Sequence, residues 1–170
     1  VEQSLRDGWL AGFGPKSVEF EEKIAKEFGK KYGVFVNSGS SACLLAIAAL
    51  DLEPGSEIIT PALTFSTTLA PILQLGYKPK FIDSELNTYV SSVEQILEAV
   101  TDKTRAIMVP NLIGNKPNWT MLKTQLNRLG REDIIIIEDS ADTITETLNS
   151  DVSTTSFYAS HVITAGGMGG

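Results

Sequence analysis

The segment IIIIEDSAD, residues 134–142, sets four consecutive isoleucines directly before a cluster of acids. A β-branched run without polar alternation fits a strand covered on both faces, and such strands belong to parallel sheets layered between helices. The acids that follow put Asp139 where this buried strand exits. A carboxylate there is desolvated unless a cation or hydrogen-bond donors meet it. It can bind a metal, orient a base, pair with a protonated pyridine nitrogen, or simply sit in an exposed acidic loop. With the isoleucines before it, Asp139 is expected to be less exposed than Glu138 or Asp142.

Similar elements recur toward the N-terminus. Apolar spacing at Val18, Ile24, Ala25 and Phe28 predicts an amphipathic helix closed by Gly29. A strand over 32–36 leads through a turn at 37–40 into an apolar helix over 41–50. Further strands are predicted at 58–60, 80–83 and 106–109, with helices at 65–75, 93–100 and 119–129. A serine-aromatic strand is expected to begin at Ser156. The intervals are too long for hairpins, so parallel pairing through crossovers is favoured. The result is an α/β layered fold, whose ligands bind beyond the carboxyl ends of the strands.

Composition narrows the function classes. A net charge of −7, with no basic stripe, argues against a nucleic-acid partner. One cysteine, Cys43, excludes an internal disulfide framework or a cysteine-rich metal site, and no metal site is expected. No apolar run approaches the roughly 20 residues that cross a bilayer, and no signal peptide opens the sequence. A soluble protein of a reducing compartment, the cytoplasm, is expected. The start without methionine and the stop on Gly169-Gly170 suggest a piece of a longer protein.

Two more strand ends carry candidate chemistry. NSGSSA, residues 37–42, leads straight into a helix. Its backbone amides and small side chains suit a phosphate cradle, and equally a serine N-cap after a turn. Near the C-terminus, SFYASHVIT, residues 156–164, contains the single histidine, His161, five residues after Ser156. A lone histidine is structural, exposed or catalytic, and spacing alone does not choose.

Taken together, these segments resemble the DegT/DnrJ/EryC1/StrS family of sugar aminotransferases. The resemblance runs from GWLAGFGPKSVEFEEKIAKEFGKKYGVFVNSGSSA (residues 8–42) through EPGSEIITPALTFSTTLAPILQLGYKPKFID (residues 53–83) to IIIIEDSAD and SFYASHVIT. It implies the large domain of the fold-type I pyridoxal-phosphate enzymes, with residues 1–170 a partial cofactor-binding domain that stops before a C-terminal small domain. Gly39 and Ser40 match the pair whose backbone binds the cofactor phosphate, and Ser156 the serine whose hydroxyl joins them. Phe65 matches the aromatic that stacks on the pyridine ring, and Asp139 the aspartate that pairs with its nitrogen. Asp142 falls where aminotransferases usually have a glutamine near the ring hydroxyl.

His161 falls on the position of the lysine that tethers the cofactor, and none of the ten lysines lies within thirty residues of it. Imidazole makes no stable covalent link to the cofactor, but it moves protons near neutral pH. The same replacement marks a branch of the family, the nucleotide-sugar 3-dehydratases of deoxysugar biosynthesis, which Asp142 and Gly114-Asn115 also resemble. That branch implies pyridoxamine or pyridoxal phosphate held without a covalent bond. It further implies a CDP- or GDP-linked 4-keto-6-deoxyhexose as substrate, loss of its C3 hydroxyl, and His161 as the proton-transfer base. A homodimer is implied as well. Some members carry an iron–sulfur cluster of the 2Fe–2S type on cysteines of the C-terminal half, with a reductase partner, whereas others regenerate the cofactor with glutamate; Cys43 alone leaves this open. The other readings are a lysine-less relative that binds cofactor or nucleotide sugar without turnover, and a sugar aminotransferase, against which the missing lysine counts. After Thr164 the family commonly reads x-Gly-Glu-Gly-Gly, whereas here Gly167 replaces the acid and Met168 a glycine.

Overall fold

The computed structural model describes residues 2–8, 13–164 and 169–170. Helices α1 (Glu2–Arg6) and α2 (Pro15–Glu27) open the chain. Pro15 is tolerated at the start of α2 because that amide would have no partner inside the helix. Then follow α3 (Gly39–Ala48), β1 (Glu57–Pro61), α4 (Ser66–Gln74), β2 (Lys78–Ile82), α5 (Val93–Glu98) and β3 (Thr104–Pro110). A single 3-10 turn, Leu112–Gly114, precedes α6 (Trp119–Arg128), β4 (Ile135–Asp139) and β5 (Val152–Thr154).

All five strands pair in parallel, in the order β2-β1-β3-β4-β5. Successive side chains of a strand point to opposite faces, and the sheet divides its apolar residues accordingly. Ile59, Ile107, Val109 and Ile136 pack on one side with Ile96, Trp119 and Leu122, under α5 and α6. Ile58, Ala106, Met108 and Ile137 pack on the other with Ala46, Ile47 and Ile72, under α3 and α4. The isoleucine run therefore supplies two cores at once, the α/β layering its pattern implies. From β1 the chain steps outward to β2, then returns to the opposite side of β1 as β3. Neighbouring connections thus leave in opposite directions, and a crevice opens at the carboxyl ends.

Some local expectations are corrected. Residues 32–36 do not form a regular strand: Val36 exchanges backbone hydrogen bonds with Gly170 at 2.8 and 3.0 Å, while Tyr32 and Val34 stand exposed. Among the described residues no other backbone pairs with this extended segment, and the Phe35 amide donates instead to the Glu21 carboxylate at 2.7 Å, so there is no ladder. Helix α3 starts at Gly39, inside the turn expected at 37–40 and before the expected start at Ser41, because the Ser38 hydroxyl accepts from the Ser41 amide at 3.1 Å and caps it. The last strand lies at Val152–Thr154, ahead of Ser156. From Ser156 the chain turns instead, with the Tyr158 amide donating to the Ser156 hydroxyl and the His161 amide to the Tyr158 carbonyl. Finally, Glu138 is more buried than Asp139, at 1% against 7% exposure. Strand alternation sends Glu138 toward α6, where Asn111, Ser150 and Lys116 meet its carboxylate at 2.6, 3.2 and 3.5 Å. No helix among the described residues is long and apolar enough to cross a membrane.

Candidate active site

A cavity of about 510 Å³ occupies the crevice at the strand ends. It brings together all seven residues singled out in the sequence: Gly39, Ser40, Phe65, Asp139, Asp142, Ser156 and His161. They arrive from the start of α3, the start of α4, the end of β4 and the turns after β4 and β5.

One end of the cavity is built to receive an anion. Ser38 and its carbonyl take the Ser41 and Ala42 amides, whereas the Gly39 and Ser40 amides have no partner among the described residues. Unpaired amides at a helix start attract negative charge. Gly39 is required by proximity: a Cβ on it would lie 2.7 Å from the Ser156 Cβ and 3.1 Å from its Oγ. The Ser156 hydroxyl accepts from the Tyr158 amide at 3.3 Å, which leaves its own proton to donate.

Asp139 occupies the floor. Its Oδ2 accepts from the Thr68 hydroxyl at 2.8 Å, and its Oδ1 from the Ala141 amide at 3.3 Å and the Thr154 hydroxyl at 3.4 Å. Burial pushes its carboxyl above the usual aspartate range, the donors from Thr68, Ala141 and Thr154 pull it back, and the Asp142 charge pushes it up again. A cation docking against Asp139 would relieve this desolvation. The Cys43 thiol, 3.8 Å from Oδ2, is itself pushed up to about 12, first by burial and then by the Asp139 charge, so it is no nucleophile. Phe65, the residue that precedes α4, lines the wall and leaves 69% of its surface exposed. An apolar ring left open in a cavity wall is surface for a flat ligand to cover.

His161 also lines the cavity, with Nδ1 3.2 Å from Asp142 Oδ1. Nε2 has no partner among the described residues. No lysine is among the residues that line the cavity. The Gly167 and Met168 departure lies outside the described residues.

Sequence reasoning missed the supporting residues. Thr68, buried and bonded to Asp139, carried no signal in TFSTT that set it apart from its neighbours. Asn111 was within reach, since it directly follows β3 at a strand end. Its amide donates to Glu138, Ser140 and Thr143 at 2.6, 3.1 and 3.0 Å, and its oxygen accepts from the Trp119 indole at 3.2 Å. Asn111 thereby fixes the turn that carries Asp142.

This parallel sheet, its flanking helices and its switch point are the large-domain fold of the fold-type I aminotransferase-like proteins. The chain belongs to the DegT/DnrJ/EryC1/StrS aminotransferase family, matched over residues 1–170. It is 39% identical to a GDP-4-keto-6-deoxy-D-mannose 3-dehydratase of Escherichia coli, over 97% of this chain and 45% of that protein. It is 37% identical to a dTDP-4-dehydro-2,6-dideoxy-D-glucose 3-dehydratase of Saccharopolyspora spinosa, over 90% of this chain and 36% of that protein. Among solved structures, an E. coli GDP-4-keto-6-deoxy-D-mannose-3-dehydratase with bound hydrated PLP superposes with a TM-score of 0.83 and 37% identity, covering 98% of this chain and 46% of that one. The chain spans about half the length, or less, of the curated relatives it matches.

Proposed function

We propose that this chain is part of the cofactor-binding domain of a nucleotide-sugar 3-dehydratase, which uses unlinked pyridoxamine phosphate to remove the C3 hydroxyl of a 4-keto-6-deoxyhexose. The observation that carries the reading is that His161, and no lysine, lines the cavity shared by Gly39, Asp139 and Ser156. The residues fit the cofactor on the protein's own chemistry: a glycine that a Cβ would jam, unpaired amides, and a buried carboxylate short of a cation.

Gly39, Ser40 and Ser156 would hold the phosphate, Phe65 would cover one face of the ring, and Asp139 would meet the ring nitrogen. When bound, pyridoxamine phosphate supplies an amine that condenses with a ketone and a ring that accepts electrons. Asp139 favours the protonated ring by offering it the charge partner that burial denies the carboxylate. His161 Nε2 moves the proton at the reacting carbon, and departure of the C3 hydroxyl follows. With no lysine among the residues that line the cavity, no lining amine competes for the cofactor's carbonyl form.

A homodimer belongs to this reading. Helix α3, GSSACLLAIA, is apolar on all sides yet leaves Leu44 and Leu45 exposed, and such a helix needs cover on its outer face. Cytoplasmic deoxysugar biosynthesis is the setting. Cys43 is buried against Asp139, so any iron–sulfur cluster would use other cysteines and a separate reductase.

The test supplies the protein with pyridoxamine phosphate, a reductant and CDP- or GDP-4-keto-6-deoxyhexose, and follows the sugar by mass spectrometry. Loss of the C3 hydroxyl is expected, along with no borohydride fixation of pyridoxal phosphate to the chain. Tight binding of cofactor and sugar with the hydroxyl retained would overturn the dehydratase in favour of a binding protein.

A further inference from the structure

Asp142 lines the cavity, and each of its oxygens has a partner on the chain. Oδ2 accepts from the Ile113 amide at 3.0 Å, and Oδ1 lies 3.2 Å from His161 Nδ1. The turn beneath it is pinned, because Asn111 donates to Ser140 and Thr143 on either side of Asp142, and the Thr143 amide closes on the Ser140 carbonyl. Asp142 is thus a fixed carboxylate with one oxygen left for the imidazole.

The second support is unusual in its backbone. Ile113 has φ of +56°, a left-handed conformation that β-branched residues avoid, and Gly114 follows at +83°. Its side chain is 71% exposed, so packing does not explain the conformation. What the bend achieves is to deliver the Ile113 amide to Asp142 Oδ2 across the cavity rim. Strain of this kind persists where the surroundings over-determine it, and it clusters at working sites.

We propose that Asp142 is the positioning residue of His161, and that the Ile113–Gly114 bend is the device that aims it. A carboxylate accepting from Nδ1–H fixes the imidazole in that tautomer and leaves the Nε2 lone pair toward the cavity, where a proton acceptor is needed. In this role Asp142 acts through His161. The inference rests on the dehydratase reading for its purpose, but the tautomer is a property of the chain alone.

In the full-length protein the His161 imidazole can be read by long-range ¹H–¹⁵N NMR, its signals assigned by their loss in His161→Asn, at a pH where the ring is neutral and with no cofactor present. The expected spectrum has Nδ1 protonated and Nε2 bare. Asp142→Ala is expected to shift the tautomer ratio about tenfold or more toward Nε2–H, the scale that a charge-assisted hydrogen bond supports. A wild-type spectrum dominated by Nε2–H would overturn the proposal without any variant, as would an equal ratio in a folded Asp142→Ala protein. Dehydration by a protein whose histidine is the Nε2–H tautomer would sink the dyad and leave the dehydratase standing. The expected tautomer without dehydration would do the reverse.

Discussion

Gly39 opens helix α3 with its Cα against the side chain of Ser156, so that a methyl group there would fall 2.7 Å from the Ser156 Cβ. Two segments 117 residues apart in sequence therefore meet at the anion end of the cavity without room for one more carbon. The contact couples the unpaired amides of α3 to the Ser156 hydroxyl, and both face one ligand position. Gly39→Ala should cost about 1–3 kcal/mol of stability, the range for overpacking a closed contact, and weaken pyridoxamine phosphate at least tenfold. Adding Ser156→Gly should recover the stability but not the affinity, since the space returns and the hydroxyl does not. Urea unfolding beside calorimetric titration separates the two effects. Equal affinity in Gly39→Ala would refute the shared cradle.

The Asp139 carboxyl gives a pH signature in the cofactor-free protein. Burial raises it above its ordinary 3.8, so the native state holds the proton more tightly than the unfolded chain does. Stability should accordingly decline as pH rises from about 3.8 through the raised value, with the full penalty present above it. Asp139→Asn should lack this decline and be the more stable protein near neutrality, while losing the charge partner for a protonated ring. The quantity to measure is the difference between the two unfolding free energies as a function of pH. A difference independent of pH would show that Asp139 carries no such penalty.

Asn111 joins the buried Glu138, the turn around Asp142 and the Trp119 indole through four hydrogen bonds. Asn111→Ala would leave Glu138 with only Lys116 and Ser150, and the indole without its acceptor. A loss of about 2–4 kcal/mol is expected, the scale for breaking a buried polar network. Urea unfolding followed by tryptophan fluorescence measures it. A loss below about 0.5 kcal/mol, typical of surface changes, would place the network's stability in other contacts.

These sites differ in how far the sequence revealed them. IIIIEDSAD announced Asp139 because a continuous apolar run marks a buried strand, and a strand's carboxyl end is where such folds bind ligands. The same rule misjudged Glu138, since alternation turned it toward α6 and an asparagine just after β3 satisfied it. Residues 32–36 looked like a strand by composition, but strand character needs a neighbour to pair with, and composition does not show the neighbour. The Asp142–His161 contact spans 19 residues and depends on turns fixed by Asn111 and Ile113. Its members could be named from the sequence, but their geometry could not.

The sharpest test exchanges the chemistry at position 161. His161→Lys puts an amine into the cavity that Asp139 and Phe65 also line. Pyridoxal phosphate should then become fixed to the chain by borohydride, which the parent protein should resist. Dehydration should fall by roughly 10²–10⁴-fold, the contribution expected of a positioned acid–base group. Asp142 should limit the gain, because a carboxylate near 3 Å stabilises the ammonium form and holds back the nucleophilic amine. His161→Lys combined with Asp142→Gln removes that charge and should attach cofactor faster than the single change. Attachment in the parent protein, or undiminished dehydration in the lysine variant, would refute His161 as the group that replaced the tether.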